Sequence, residues 1–188
     1  MRNTIRSTID PIMLAAVQQF IEEKLLSTKR QGIEEVVEFI RKSDYYTARC
    51  GRHHKFAGGM SQHAVETYFN ATMNNTHNLS DDSLIIMCLL HDVCDIAHYH
   101  HYHGHGKRSV DLLCKECGLQ LSSAERNAIL WHMHGYKEKE TLGEAFSLTT
   151  YEPEWKTLRH ADGHSAGYPL NRYQLYKQMT NKDYPIDK

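Results

Sequence analysis

Leu84-Ile85-Ile86-Met87-Cys88-Leu89-Leu90 runs without a polar residue straight into His91-Asp92. Ser80-Asp81-Asp82 precedes it, an N-cap hydroxyl with carboxylates in the first turn, so the stretch predicts a helix from Ser83 to about Val93. A helix that is apolar nearly all round belongs at the centre of a fold. Ending it with an imidazole and a carboxylate is costly unless both groups are paired or coordinated. The pair therefore reads either as a core histidine held by Asp92 or as one corner of a metal site.

Outward from this element, apolar residues recur at spacings of three and four, and strand-like alternation is almost absent. The expected fold is all-α. Asp10-Pro11 opens a helix to about Leu26, and a second runs from Ile33 to about Lys42, with Ile33, Val36, Val37 and Ile40 on one face. Asp44 to Gly59 reads as a loop, with a basic run from Arg52 to Lys55 and the pair Gly58-Gly59. A helix from Met60 to about Met73 follows. Beyond His91-Asp92, a polar stretch from His98 to Gly106 leads to a helix from about Lys107 to Cys117. Ser122-Ser-Ala-Glu125 has capping-box form and opens a helix reaching His132. A loop over Gly135 to Thr150 precedes helices near Pro153 to Ala166 and Asn171 to Met179.

The 188 residues, with no repeat and no long linker, suffice for one domain with a substantial core. With 40% hydrophobic and 24% charged residues, the composition is that of a soluble globular protein. A net charge of −1 carries no positive excess for a long duplex, but leaves room for a small nucleotide or a single-stranded end. Five scattered cysteines argue against a disulfide framework and for a reducing compartment, so a cytoplasmic location is expected. Cys114-Lys-Glu-Cys117 has CxxC form without a second pair, and reads as one helix face. No segment is apolar enough for a signal peptide or membrane span. Fourteen histidines raise the expectation of a metal site without locating it.

Two further residues bear on the location. His63 lies early in the helix after Gly58-Gly59, and Asp162 lies within the helix spanning Trp155 to Ala166. Three His/Asp positions on three helices can converge on one ion. Imidazole nitrogens mixed with carboxylate oxygens suit Mn, Fe, Co, Ni or Zn better than Ca.

At these residues the chain resembles the HD-domain metal-dependent phosphohydrolases, whose H…HD…D signature is borne by His63, His91-Asp92 and Asp162. Arg52-His-His-Lys-Phe-Ala-Gly-Gly-Met-Ser-Gln-His63 is similar to an HHxxxGGLxxH segment in one branch of that family. The branch contains phage-encoded HD proteins and the HD domain of a bacterial 3′→5′ exoribonuclease. Gly104-His-Gly-Lys-Arg-Ser109, Ile129-Leu-Trp-His-Met133 and Leu158-Arg-His-Ala-Asp162 resemble further ordered motifs of the branch. The resemblance runs from about Asp44 to Ala166. It implies a single-domain HD helical bundle over 44–188, with N-terminal helices over 1–43 packed on its core.

It also implies a site. His63, His91, Asp92 and Asp162 would hold one ion, and Asp92, His105 and His132 a second, with Asp92 bridging. Such paired ions polarise a phosphoryl group and activate a water for its hydrolysis. The catalytic pair would be His91 and Asp92. Arg52, His54, Lys55, Lys107 and Arg108 are the positions for meeting substrate phosphate, with His54 matching the HxxxGG element. His105 could instead simply belong to the histidine tract 98–105, and His132 could be a core residue. His160 and His164 form an i,i+4 pair around Asp162 whose spacing could bind metal independently.

One departure stands out. Many members of the family read HDxxK, whereas this chain reads His91-Asp-Val-Cys-Asp95. Continued helix would place Asp95 one turn from His91, where its carboxylate could orient the imidazole or alter which substrate is accepted. The expected function is metal-dependent hydrolysis of a phosphomonoester or diester in a nucleotide or short nucleic-acid end. The alternative is a non-catalytic HD module that binds metal and nucleotide for sensing or partner regulation.

Overall fold

The computed structural model describes residues 10–50, 53–95, 104–134, 146, 149 and 152–185. Among these the fold is all-helical, with no strand. The helices are α1 (Pro11–Ser27), α2 (Ile33–Lys42), α3 (Gly59–Met73), α4 (Asp81–Leu90), α5 (His105–Asp111), α6 (Ser123–Trp131), α7 (Pro153–Gly167) and α8 (Arg172–Thr180).

The expected caps form. Asp10 accepts from the Ile12 backbone N–H at 3.0 Å, and Ser80 accepts from Ser83 at 3.2 Å. The Ser122 side chain accepts from the Glu125 N–H at 3.1 Å while Glu125 accepts from the Ser122 N–H at 2.8 Å, closing the capping box. Each cap satisfies N–H groups that a helix start leaves without a partner.

The helix α4 is the axis of the core: Leu84 through Leu90 are all buried, consistent with its uniformly apolar sequence. Burying each Leu or Ile contributes about 1.5–3 kcal/mol, and that requires neighbours on every side. They come from α1 (Met13, Val17, Ile21, Leu25), α2 (Val36, Ile40), α6 (Ala128, Ile129) and α7 (Trp155, Leu158), joined in one apolar cluster. No described helix is long and apolar enough to cross a membrane. All five cysteines are free thiols, Cys114 and Cys117 included.

Three expectations are corrected. The central helix stops at Leu90, not near Val93, and a 3-10 turn covers Val93–Asp95. The cause is His91, whose Nδ1 lies 3.0 Å from the Cys88 carbonyl and takes an acceptor that another helical turn would use. The helical register that would place Asp95 over His91 is therefore not continued, and the Asp95 side chain lies outside the described residues. Second, α5 begins at His105 rather than Lys107, because Gly104 takes the left-handed N-cap (φ 79°) directly before it. It ends in a π turn over Leu112–Glu116. Third, the span 135–150 is not wholly loop: Phe146 and Thr149 are helical and buried, and Phe146 packs on Trp131 and Trp155. The rest of that span, and the histidine tract 98–103, lie outside the described residues.

Candidate metal centre

Two helices end in the same way. His91 caps the carboxyl end of α4, and His132 that of α6. The Nδ1 of His132 lies 2.8 Å from the Ile129 carbonyl, repeating the bond of His91 to Cys88 three residues back. A carbonyl only accepts, so each Nδ1 carries a proton, and each ring turns its Nε2 to the other side. Both Nε2 atoms face Asp92. The site also receives the negative ends of two helix dipoles, which favour a cation.

Close backbone approach brings in the other groups. A Cβ on Gly106 would lie 2.4 Å from the Ile129 carbonyl and 2.5 Å from that of Leu130, so glycine lets the start of α5 press on the end of α6. His105 Nε2 is thereby set 3.0 Å from His132 Nε2, and both lie 3.2 Å from Asp92 Oδ1. On the other side, α3 supplies His63 and α7 supplies Asp162. His63 Nε2 lies 3.0 Å from Asp162 Oδ1, and His91 Nε2 lies 3.5 Å from Asp92 Oδ2 and 3.8 Å from Asp162 Oδ1. All six residues thus meet in one place, with the two oxygens of Asp92 turned toward different histidines.

The donor set fits a divalent transition metal. His91 Nε2 and Asp92 Oδ1 are buried yet make no hydrogen bond. His105 Nε2 and His132 Nε2, 3.0 Å apart beside a carboxylate oxygen, need a proton or a cation between them. Potential ligand atoms lie within 4.8 Å of one another in three overlapping trios: His63–His91–Asp92, His91–His132–Asp162 and Asp92–His105–His132. His63, His91, Asp92 and Asp162 could hold one ion, and Asp92, His105 and His132 another.

The electrostatics follow the geometry. Burial pushes His91 down, outweighing the attraction of Asp92 and Asp162. Burial also opposes charge on His132, but there Asp92 prevails and the imidazole is raised. Burial alone would raise Asp162, yet the bond from His63 and the nearby imidazoles bring it down to about 2. Asp92 lies well below the carboxylate range for the same reason, with His91 the leading partner against burial. Both carboxylates are thus anionic at neutral pH, as metal ligands must be.

The expected phosphate-contacting residues are dispersed. His54 is buried with a left-handed backbone (φ 46°), and its Nε2 lies 3.3 Å from Glu66 Oε2. Its carbonyl would be 1.9 Å from a Cβ on Gly59, so Gly59 is what lets the loop lie on the start of α3. Lys55 is exposed. Lys107 is exposed and paired with Asp111 at 2.5 Å, while Arg108 is half-buried beside it. Arg52 lies outside the described residues.

Two residues at the site escaped the sequence reading. The His53 ring lies tilted against that of His63, centroids 4.4 Å apart, and His53 joins His54 and His63 in a fourth trio of potential ligands. Burial first, then His63 and His54, push His53 down to about 4, so it is a neutral donor–acceptor at pH 7. Glu66 is a buried carboxylate accepting from the Leu170 N–H at 3.2 Å as well as facing His54. Its only sequence signal was an acid one turn after His63 on a buried helix.

A helical bundle whose buried centre is built from H…HD…D defines the class. The HD domain family matches residues 60–171, more than half of the chain, and the protein belongs to that family. Its superfamily is that of metal-dependent phosphohydrolases. No curated protein and no solved structure matches the chain.

Proposed function

We propose that this protein is a metal-dependent phosphohydrolase acting on a phosphomonoester or diester of a nucleotide or short nucleic-acid end. The observation that carries the reading is the convergence of His63, His91, Asp92, His105, His132 and Asp162, with His91 Nε2 and Asp92 Oδ1 buried and without hydrogen bonds. The ordered motifs around His54, Gly59, His105 and His132 support membership of the branch that holds phage-encoded HD proteins and an exoribonuclease HD domain. The free thiols support a reducing, cytoplasmic setting.

In this reading the bound ions, two per chain, supply Lewis acidity to the phosphoryl group and to the attacking water. Asp92 is shared between the two ligand sets. The Cys88 and Ile129 carbonyls fix the tautomers and directions of His91 and His132. His54, held near Glu66, and the neutral His53 line the His63 side, where they can donate to or accept from phosphate oxygens.

The test is hydrolysis of bis-p-nitrophenyl phosphate and a nucleotide panel with Mn, Co, Ni and Mg, alongside elemental analysis. Metal-dependent turnover that disappears in a folded Asp92→Ala variant is expected. Metal content without turnover on any phosphoester would instead favour the non-catalytic binding module, the reading that Asp95 in place of the usual lysine keeps in play. For nuclearity, His105→Ala and His132→Ala should each lower bound metal from about two ions per chain to one; an unchanged ratio refutes the second site.

A further inference from the structure

A cleft of about 770 Å³ opens between the carboxyl-terminal half of α3 and the face of α7 away from Asp162's partners. None of the six residues of the metal centre lines it. Its walls carry Lys156, Arg159, His160 and His164 from α7, with His77 from the turn after α3, and no carboxylate lines it among the described residues. Neither Lys156 nor Arg159 forms an ion pair among the described residues; Arg159 Nη1 donates to the His132 carbonyl at 3.2 Å. In a chain of net charge −1, that concentration of cationic and imidazole groups without an acid is not the average surface.

A second observation points to a ligand. Thr157 lines the same cleft, is 7% exposed, and its hydroxyl oxygen is buried without a hydrogen-bond partner. Buried hydroxyls are normally satisfied, so this one, at the wall of a cationic cleft, is a polar group whose partner the described chain does not supply. At the carboxyl end of α3, the Asn74 backbone N–H and Nδ2 both donate to the Asn70 carbonyl, at 3.1 and 2.9 Å, so that carbonyl is not left bare toward the cleft.

We propose that this cleft is a second ligand site, separate from the metal centre, that binds the phosphate group of a phosphorylated small molecule. Metal binding is the weaker use of the same residues. The rings of His160 and His164 are 6.4 Å apart, and among the described residues no third ligand atom joins them in a compact trio.

The experiment is equilibrium binding of inorganic phosphate to the metal-loaded protein at constant ionic strength, with AMP and adenosine as competitors. Wild type, Asp92→Ala, Thr157→Val and a Lys156→Gln/His160→Gln double variant are compared. The expected result is a phosphate equivalent that survives in Asp92→Ala, weakens at least tenfold in the double variant, and weakens in Thr157→Val. Both altered side chains of the double variant are at the surface, and metal content and helical content provide the check that it folds. Displacement by AMP and not by adenosine is expected; failure of AMP to compete overturns the assignment to a phosphorylated small molecule. The proposal is overturned if all phosphate binding vanishes in Asp92→Ala, or if the double variant binds as wild type does.

Discussion

Glu125 and Asp92 are two carboxylates held inside the same helical core, and their surroundings are opposite. Glu125 receives four donors: Arg30 Nη1 at 2.7 Å, Arg30 Nη2 at 3.1 Å, Ser83 Oγ at 2.8 Å and the Ser122 N–H at 2.8 Å. It ties the α1–α2 turn to the starts of α4 and α6, and every contact is provided by the chain. Asp92 is surrounded by imidazoles, yet its Oδ1 makes no hydrogen bond. A buried carboxylate that the protein satisfies completely is a structural joint. One that the protein surrounds with imidazoles and leaves without a hydrogen bond is placed as a metal ligand would be.

The contrast can be broken from either side. Asp92→Ala should have the largest effect. Removing a ligand shared by both sets forfeits several kcal/mol of metal stabilisation, equivalent to about 10³-fold in turnover or more. Bound metal should be lost while far-UV circular dichroism stays native. A variant that keeps its metal would refute Asp92 as a ligand. Glu125→Ala should do the reverse. It leaves the Arg30 guanidinium, the Ser83 hydroxyl and the Ser122 N–H without their acceptor, and urea unfolding should register a loss of about 3 kcal/mol, with metal per folded chain unchanged. The lower end of the usual range applies because Arg30 is partly exposed.

Gly106→Ala sharpens the comparison by touching packing and site together. Its added methyl would press on the Ile129 and Leu130 carbonyls, costing about 1–3 kcal/mol of stability. If His105 and His132 bind the second ion, metal stoichiometry should fall alongside stability; stability loss with both ions retained would separate the two roles. The smallest effect concerns pH. Burial tends to raise Glu125, but Arg30, Ser122 and Ser83 outweigh it and lower it from its ordinary 4.5. Its contribution is therefore complete above pH 4.5 and disappears as pH falls through the lowered value. Arg30→Ala should move that loss of stability to higher pH in unfolding curves taken between pH 7 and 3.

Local pattern carried most of the fold. The caps at Asp10, Ser80 and Ser122, the face Ile33–Val36–Val37–Ile40 and the uniformly apolar run 84–90 act within one or two helical turns, so the chain displays them directly. The four residues His63, His91, Asp92 and Asp162 were also legible as potential ligands, because an imidazole and a carboxylate at the end of a buried helix demand partners. Where the helices stop was not legible in the same way. That α4 ends at Leu90 depends on an imidazole turning back to a carbonyl, and the start of α5 at His105 depends on Gly104 adopting a left-handed backbone. His53 and Glu66 were hidden because their roles arise from a loop folding onto α3, which Gly59 permits. Only the tertiary structure separates the dispersed cations, pairing Lys107 with Asp111 and gathering Lys156, Arg159, His160 and His164 along a different cleft. Sequence determines which residues can be buried together on helices, since that is a matter of periodicity; which lone pairs and charges end up facing one another is set by how closely those helices approach.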